Sequence, residues 1–177
     1  MAYLTDFQVD AIKSHMTDEK DLLLKKFRAK NLPYEKISVS IGEMSAYEAL
    51  GFEVIDKTRK KVKMSRYKDA SKEFEDDIWC MFYKLGFRIL NTDEHLVVQW
   101  GPNPKDTHQL DVVAVGDDAI FVVECKAAEE WKTRSFKDDI DVMSKYKEGV
   151  TKALRQIYGS EKRVKFIFAT RKCRVQQ

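Results

Sequence analysis

Apolar positions along this chain change their spacing several times, and each change marks an element. In residues 17–30, Leu23, Leu24 and Phe27 fall on one helical stripe, with Thr17 placed as a cap and Asp18 and Glu19 in the first turn. Residues 36–41 form a short β-like run, and residues 44–50 a short helix that Gly51 stops. Residues 52–57 and 61–66 alternate as strands do, with Val54, Val62 and Met64 among their apolar positions.

Near residue 68 the pattern becomes stronger. Ser71 is placed to cap a helix in which Phe74, Ile78, Met81, Phe82 and Leu85 recur at helical spacing, and Gly86 ends it. Strand-like runs follow at 87–90 and 96–100, then a loop at 101–107 containing two prolines. Two strongly β-like runs, 108–115 and 119–126, are joined by Gly116-Asp117-Asp118. A long helix spans about 136–158, with Ile140, Met143, Tyr146, Val150, Leu154 and Ile157 on one stripe. Gly159 closes it, and residues 164–169 form a last buried strand. The order helix, strand, hairpin, helix, strand predicts a mixed α/β unit in which helices flank a small central sheet. The chain thus divides into a small α+β segment of unassigned role, 1–67, and a second unit, 68–177.

The hairpin carries the chemistry. Alternation puts Gln109, Asp111, Val113 and Val115 on one face of its first strand, and Ile120, Val122, Glu124 and Lys126 on one face of the second. If Asp117 and Asp118 form the tip, Gly116 pairs with Ala119, Asp111 lies opposite Glu124, and Gln109 lies opposite Lys126. Directly opposed carboxylates on a strand pair repel, with Cβ atoms about 5 Å apart. A divalent cation turns that repulsion into ligation, and Mg²⁺ is held by one or two carboxylates together with waters and phosphate oxygens. Lys126 is placed to orient a metal-activated water or to stabilise charge on phosphorus. Gln109 is placed to hydrogen-bond substrate or water. The Cys125 side chain faces away from the site, while its backbone carbonyl is a further candidate ligand. Val122 and Val123 before Glu124, and Val112 and Val113 after Asp111, place these charges on strands that are apolar on both sides, where a charge needs a partner or a metal.

Asp111 followed, after twelve intervening residues, by Glu124-Cys125-Lys126 resembles the D-x(n)-E-x-K signature of the PD-(D/E)xK nuclease superfamily. Leu110 stands where that signature carries its proline. The run from Phe74-Glu75 to Leu85-Gly86-Phe87 resembles the opening helix of the restriction-endonuclease-like and Mrr-like branches. The resemblance implies a restriction-endonuclease-like core and a Mg²⁺-dependent endonuclease, with Mn²⁺ able to substitute, that hydrolyses phosphodiester bonds in DNA. It also implies that a helix glutamate joins Asp111, Glu124 and the Cys125 carbonyl at the metal. Glu75 matches that glutamate by position, with Glu73 and Asp76 as competitors. Phe74 to Asp76, Gln109 to Asp111 and Glu124 to Lys126 also resemble the N-terminal nuclease-like region of bacterial DGQHR-domain proteins, which implies that the chain is part of something longer. Two alternatives share the same residues: a nuclease fold that binds nucleic acid without cutting it, and a protein-interaction module.

Composition refines this picture without changing it. The chain has 177 residues, 44% of them hydrophobic and 34% charged, enough apolar material for a packed core. The net charge of +3 says little, but its distribution says more. Arg59, Lys60, Lys61, Lys63, Arg66 and Lys68 lie in a stripe from Lys57 to Lys72 that fits a phosphate backbone. Lys132 and Arg134 follow the second hairpin strand as further nucleic-acid contacts, with Trp131 beside them. Trp79, Trp100 and Trp131 read as packing residues; His15, His95 and His108 are scattered, and His108, on the face opposite Gln109, reads as structural. Cys80, Cys125 and Cys173 are too far apart for a metal or disulfide framework. That pattern and the lack of a signal-peptide start point to a reducing, cytoplasmic setting, with no membrane-length apolar run. The oligomeric state stays open, a homodimer being the arrangement many double-strand cutters use.

Overall fold

A computed structural model describes residues 4–92, 96–101 and 103–175; His95 lies outside them. The elements in chain order are α1 (Asp6–Ser14), β1 (Met16–Thr17), α2 (Lys20–Lys30), β2 (Tyr34–Ser40), α3 (Met44–Ala49), β3 (Glu53–Lys57) and β4 (Lys61–Tyr67). They continue with α4 (Ala70–Lys84), β5 (Ile89–Asn91), β6 (Val97–Gln99), β7 (Thr107–Gln109), β8 (Val112–Val115), β9 (Ala119–Arg134), α5 (Lys137–Tyr158) and β10 (Arg163–Val175).

The central sheet has the order β1-β5-β8-β9-β10. Its first four strands pair antiparallel, while β9 and β10 pair in parallel. A parallel pair needs a long crossover, and α5 supplies it. Helices cover both faces of this mixed sheet, as expected. Val113, Val115, Ile120 and Val122 pack under α5 with Tyr146, Val150, Ala153 and Leu154. On the other face Val112, Ala114 and Val123 pack under α4 with Trp79, Cys80 and Phe82. The hairpin strands are buried on both sides, which is why they are nearly continuous valine runs. A separate sheet of order β2-β4-β3 closes over its own small core of Val39, Phe52, Val62 and Met64.

The N-terminal residues are divided between these two bodies. β1 pairs with β5, Leu4, Ile12 and Met16 join the core under α5, and Leu23 joins the core under α4. The Gln156 side chain accepts from the Leu4 N–H at 2.7 Å and donates to the Leu4 carbonyl at 2.9 Å, fastening the chain's start to α5. Among the described residues, 34–67 hold a separate small core.

Several helix limits differ from the sequence expectation. α1 was not expected, although Thr5 and Gln8 form a capping box at its start. Thr17 is taken by β1, and α2 begins only at Lys20. Asp69 caps α4 in place of Ser71, its Oδ1 accepting the Lys72 N–H at 2.8 Å. Met81, Leu85 and Ile140, expected on apolar stripes, are exposed; Leu85 lies just past the end of α4, as its C-cap. β9 and β10 run on together well past the expected strand ends at 126 and 169. Trp131, expected to pack, instead stands exposed on this extension under the Arg174 guanidinium, because β9 has by then run beyond the core.

α5 crosses the end of β6 at very close range. A Cβ built on Gly149 would lie 1.7 Å from the Trp100 carbonyl oxygen. Both groups are backbone, so neither rotates away. Gly149→Ala is therefore expected to cost about 3 kcal/mol or more, the upper end for overpacking. Thermal unfolding followed by circular dichroism should show Tm lowered by roughly 6–12 °C; an unchanged Tm would show that α5 does not pack this closely.

Candidate active site

The site forms where β8 begins and β9 emerges from the core. The hairpin register is the one expected: Gly116 N–H donates to the Ala119 carbonyl, Val115 pairs with Ile120, and the ladder ends with Val112 opposite Val123. Asp111 is the next residue, beside Glu124. There the backbone ladder gives way to a side chain, since Asp111 Oδ2 accepts the Cys125 N–H at 2.7 Å. Burial and the neighbouring Glu124 charge push the Asp111 carboxyl up to about 6.

Glu124 is held differently. Burial raises its pKa, but hydrogen bonds from His108 and Lys126 outweigh that and leave it below the usual carboxylate range. Lys126 Nζ donates to Glu124 Oε1 at 2.7 Å, and His108 Nε2 and the Tyr146 hydroxyl both approach Oε2 at 3.4 Å. The Lys126 ammonium lies 3.7 Å from Asp139, which also takes Arg134 at 3.0 Å. Burial works against the Lys126 charge, but Glu124 prevails and holds its pKa above the normal lysine value. A cleft of about 400 Å³, lined by His108, Glu124, Lys126, Arg134, Asp139 and Tyr146 among others, opens beside these groups.

The first hairpin run is broken, and this corrects two expectations. Gln109 does not face Lys126; it is exposed on β7, opposite Val97 of β6. His108, expected on the far face, is the residue that reaches Glu124, stacked on Tyr146 with ring centroids 4.0 Å apart. Alternation holds only along an unbroken ladder. Here the chain leaves β8 at Leu110, whose N–H bonds the Leu96 carbonyl at 2.9 Å, so the parity of residues before Asp111 is lost.

Asn91 holds the chain beside that break, and its role was not read from the sequence. Its side chain is 2% exposed and replaces a strand partner: Nδ2 donates to the Asp111 carbonyl at 2.9 Å, and Oδ1 accepts the Val113 N–H at 3.0 Å. Trp79 Nε1 fixes the Asn91 carbonyl at 2.7 Å. A polar residue directly after the apolar Ile89-Leu90 was the available signal. Asn91→Leu orphans one donor and one acceptor at about 1–3 kcal/mol each. Urea unfolding is expected to show a loss of roughly 2–4 kcal/mol, and an undiminished midpoint would mean that these bonds are not made.

The three helix acids separate clearly. Asp76 is buried among three lysines, with Lys30 Nζ at 2.5 Å. Glu73 is exposed and 3.7 Å from Arg171. Glu75 is half-buried, and its charge, after burial and Asp111, helps to push the Cys125 thiol up. The Cys125 side chain packs toward the α4 core, as expected.

Of the expected nucleic-acid contacts, Arg59, Lys60 and Lys61 stand exposed at the β3–β4 turn, and Lys63 is exposed 3.4 Å from Asp56. Arg66 is paired with Glu35 at 2.5 Å. Lys68 is not a surface cation: its side chain is 3% exposed and bonds Asp76 at 2.9 Å. Lys132 is exposed on β9, while Arg134 lines the cleft.

Two carboxylates and a lysine at the end of one strand pair, with a helix acid behind them and helices on both faces of a mixed sheet, define a nuclease-like fold of the PD-(D/E)xK kind. The sequence profile of the nuclease-related domain family matches residues 72–176, and the chain belongs to that family. No curated protein and no solved structure matches the chain. The matched stretch runs from α4 to β10 and so contains Glu75, Asp111, Glu124 and Lys126. No helix among the described residues is long and apolar enough to cross a membrane.

Among the described residues, no three His, Cys, Asp or Glu side chains converge as a ready metal cage. The donor chemistry nevertheless suits Mg²⁺, which needs only one or two carboxylates and takes its other ligands from water and phosphate. Burial first and the Glu124 charge second raise the Asp111 carboxyl, and the Cys125 N–H, Lys126 and His108 offset them only in part.

Proposed function

We propose that the protein is a metal-dependent endonuclease that hydrolyses phosphodiester bonds in DNA. The observation that carries this reading is the pairing of Asp111 with Glu124 where the ladder ends, with Lys126 Nζ 2.7 Å from Glu124. Asp111 and Glu124 would hold Mg²⁺, or Mn²⁺ in its place, with Glu75 and the Cys125 carbonyl contributing from α4 and β9. The ion would acidify a bound water and neutralise charge on the phosphodiester.

The chain's own residues do the rest. The Cys125 N–H and the Asn91 amide fix the Asp111 side chain and backbone. His108 and Tyr146 hold one oxygen of Glu124 while Lys126 holds the other. Lys126 is thereby kept protonated at the cleft wall, where a phosphate oxygen would meet it. Arg134 and the exposed Lys132 extend positive charge along the same strand toward a nucleic-acid backbone.

The test is nicking of supercoiled plasmid by the purified protein in Mg²⁺, in Mn²⁺ and in EDTA. Nicking in either metal that EDTA removes supports the reading. A folded protein that binds the plasmid in low salt but leaves it intact would replace it with a binding role.

A further inference from the structure

A second concentration of charge lies on α4 away from the acidic pair. Lys30 from α2, Lys68 after β4 and Lys72 from α4 converge on Asp76, at 2.5, 2.9 and 3.0 Å. Asp76 is 2% exposed and the three lysine side chains are at most 15% exposed. The next acid, Glu75, stands 4.0 Å from Lys72. Among the described residues the three lysines surround Asp76, with Glu75 at the edge, and Lys68 Nζ also donates to the Lys30 carbonyl at 2.7 Å. Burying charge without full compensation is costly, and the cost falls when an anion arrives. The lysines also strain one another: burial, then the Lys72 charge, depresses the Lys30 pKa.

This cluster is the floor of a cleft of about 470 Å³ between α2, the small sheet and the start of α4. Its cations are Lys26, Lys30, Lys36, Arg66, Lys68 and Lys72, against Glu35 and Asp76. Positive charge within low-dielectric walls focuses its field on the opening. Ammonium groups act as point charges, which suits the distributed oxygens of a phosphate. Tyr34 also lines the cleft, beneath Lys36 at 5.0 Å, and Arg66 lies over the buried Phe52 ring at 4.5 Å. Such aromatic and basic walls accommodate the sugar or base attached to a phosphate.

We propose that this cleft is a phosphate-binding site distinct from the Asp111–Glu124 pair. The phosphate comes either from the backbone of a nucleic-acid strand that also reaches the acidic pair, or from free phosphate. The strand source rests on the nuclease reading; the site itself does not.

The test replaces the rim rather than the buried floor. Lys26→Glu/Lys36→Glu leaves the Asp76 cluster intact, and circular dichroism verifies its fold; Lys26→Gln/Lys36→Gln serves if the charge reversal does not fold. Binding of a fluorescein-labelled single-stranded oligonucleotide is measured by anisotropy in EDTA across a salt series. Stabilisation by inorganic phosphate is measured by thermal shift. Affinity lowered about tenfold or more, with a salt slope shallower by roughly 1.4 for two lost phosphate contacts, identifies a strand's phosphate. Loss of the phosphate-induced thermal shift alone identifies free phosphate. Unchanged oligonucleotide affinity together with an unchanged phosphate shift overturns the proposal. Metal-dependent hydrolysis of bis(p-nitrophenyl) phosphate, too small to span both places, is expected to be equal in wild type and variant. An inactive wild type with a rim-dependent binding change would overturn the nuclease reading and leave the cleft standing.

Discussion

Asp111→Ala and Lys126→Ala are each expected to reduce metal-dependent plasmid nicking by two orders of magnitude or more, with binding to the same plasmid retained. The two losses have different origins. Asp111→Ala removes one of the two paired carboxylates that would hold a divalent ion. Lys126→Ala removes the group on Glu124 Oε1 and the cation nearest an incoming phosphate, while both acids stay in place. Raised metal concentration should therefore recover some activity in Asp111→Ala and little in Lys126→Ala. Nicking that persists at wild-type rate in both variants would place the chemistry elsewhere. Gln109→Ala, by contrast, is expected to be near wild type, since Gln109 is turned away on β7.

In the absence of metal, Asp111→Asn is expected to make the protein more stable at neutral pH. The Asp111 carboxyl rises from 3.8 to about 6 on folding, because of burial first and the Glu124 charge second. A carboxyl raised in the folded state favours folding while it is protonated. That contribution is complete below pH 3.8 and is lost as pH climbs through about 6. Asparagine removes the penalty and keeps an oxygen to accept the Cys125 N–H. The expected gain at neutral pH is on the order of 2 kcal/mol, or roughly 4–8 °C in Tm. Urea unfolding in EDTA from pH 4 to 8 should show the two proteins converging at the acid end and separating above pH 6. A constant difference across that range would remove the titration of Asp111 as its cause. Added Mg²⁺ should then raise Tm in wild type and leave Asp111→Asn little changed.

The opposed signs of these two effects follow from one arrangement. A site that places two carboxylates together is unstable for the same reason that it attracts a cation. His108, Lys126 and Tyr146 relieve Glu124, and Asp111 carries what remains.

Much of this was legible in the chain. The valine-rich runs around Asp111 and Glu124, joined by Gly116-Asp117-Asp118, fixed the hairpin and its register, because a tight turn sets pairing and pairing sets which residues oppose. The apolar stripes of α4 and α5 announced helices to cover both sheet faces. Asp111, Glu124 and Lys126 came together as strand geometry requires.

What local pattern did not contain lay wherever a distant residue replaced a neighbour. Asn91, distant in sequence, bonds Asp111 and Val113 beside the break in the ladder, and His108 stands in place of Gln109 at the site. β1 takes Thr17 from the helix it was expected to cap, because pairing with Leu90 satisfies its backbone better than an exposed cap. The basic stripe read as one surface is two: exposed cations at the β3–β4 turn, and Lys68 and Lys72 drawn inward onto Asp76. Sequence by itself determined the helices α4 and α5, the hairpin register and the acid pair, since each rests on contacts between residues close in the chain. Only the tertiary structure decided which histidine meets Glu124, which helix acid turns toward Cys125 and which lysines are buried, since those depend on charges and hydrogen bonds brought together from distant parts of the chain.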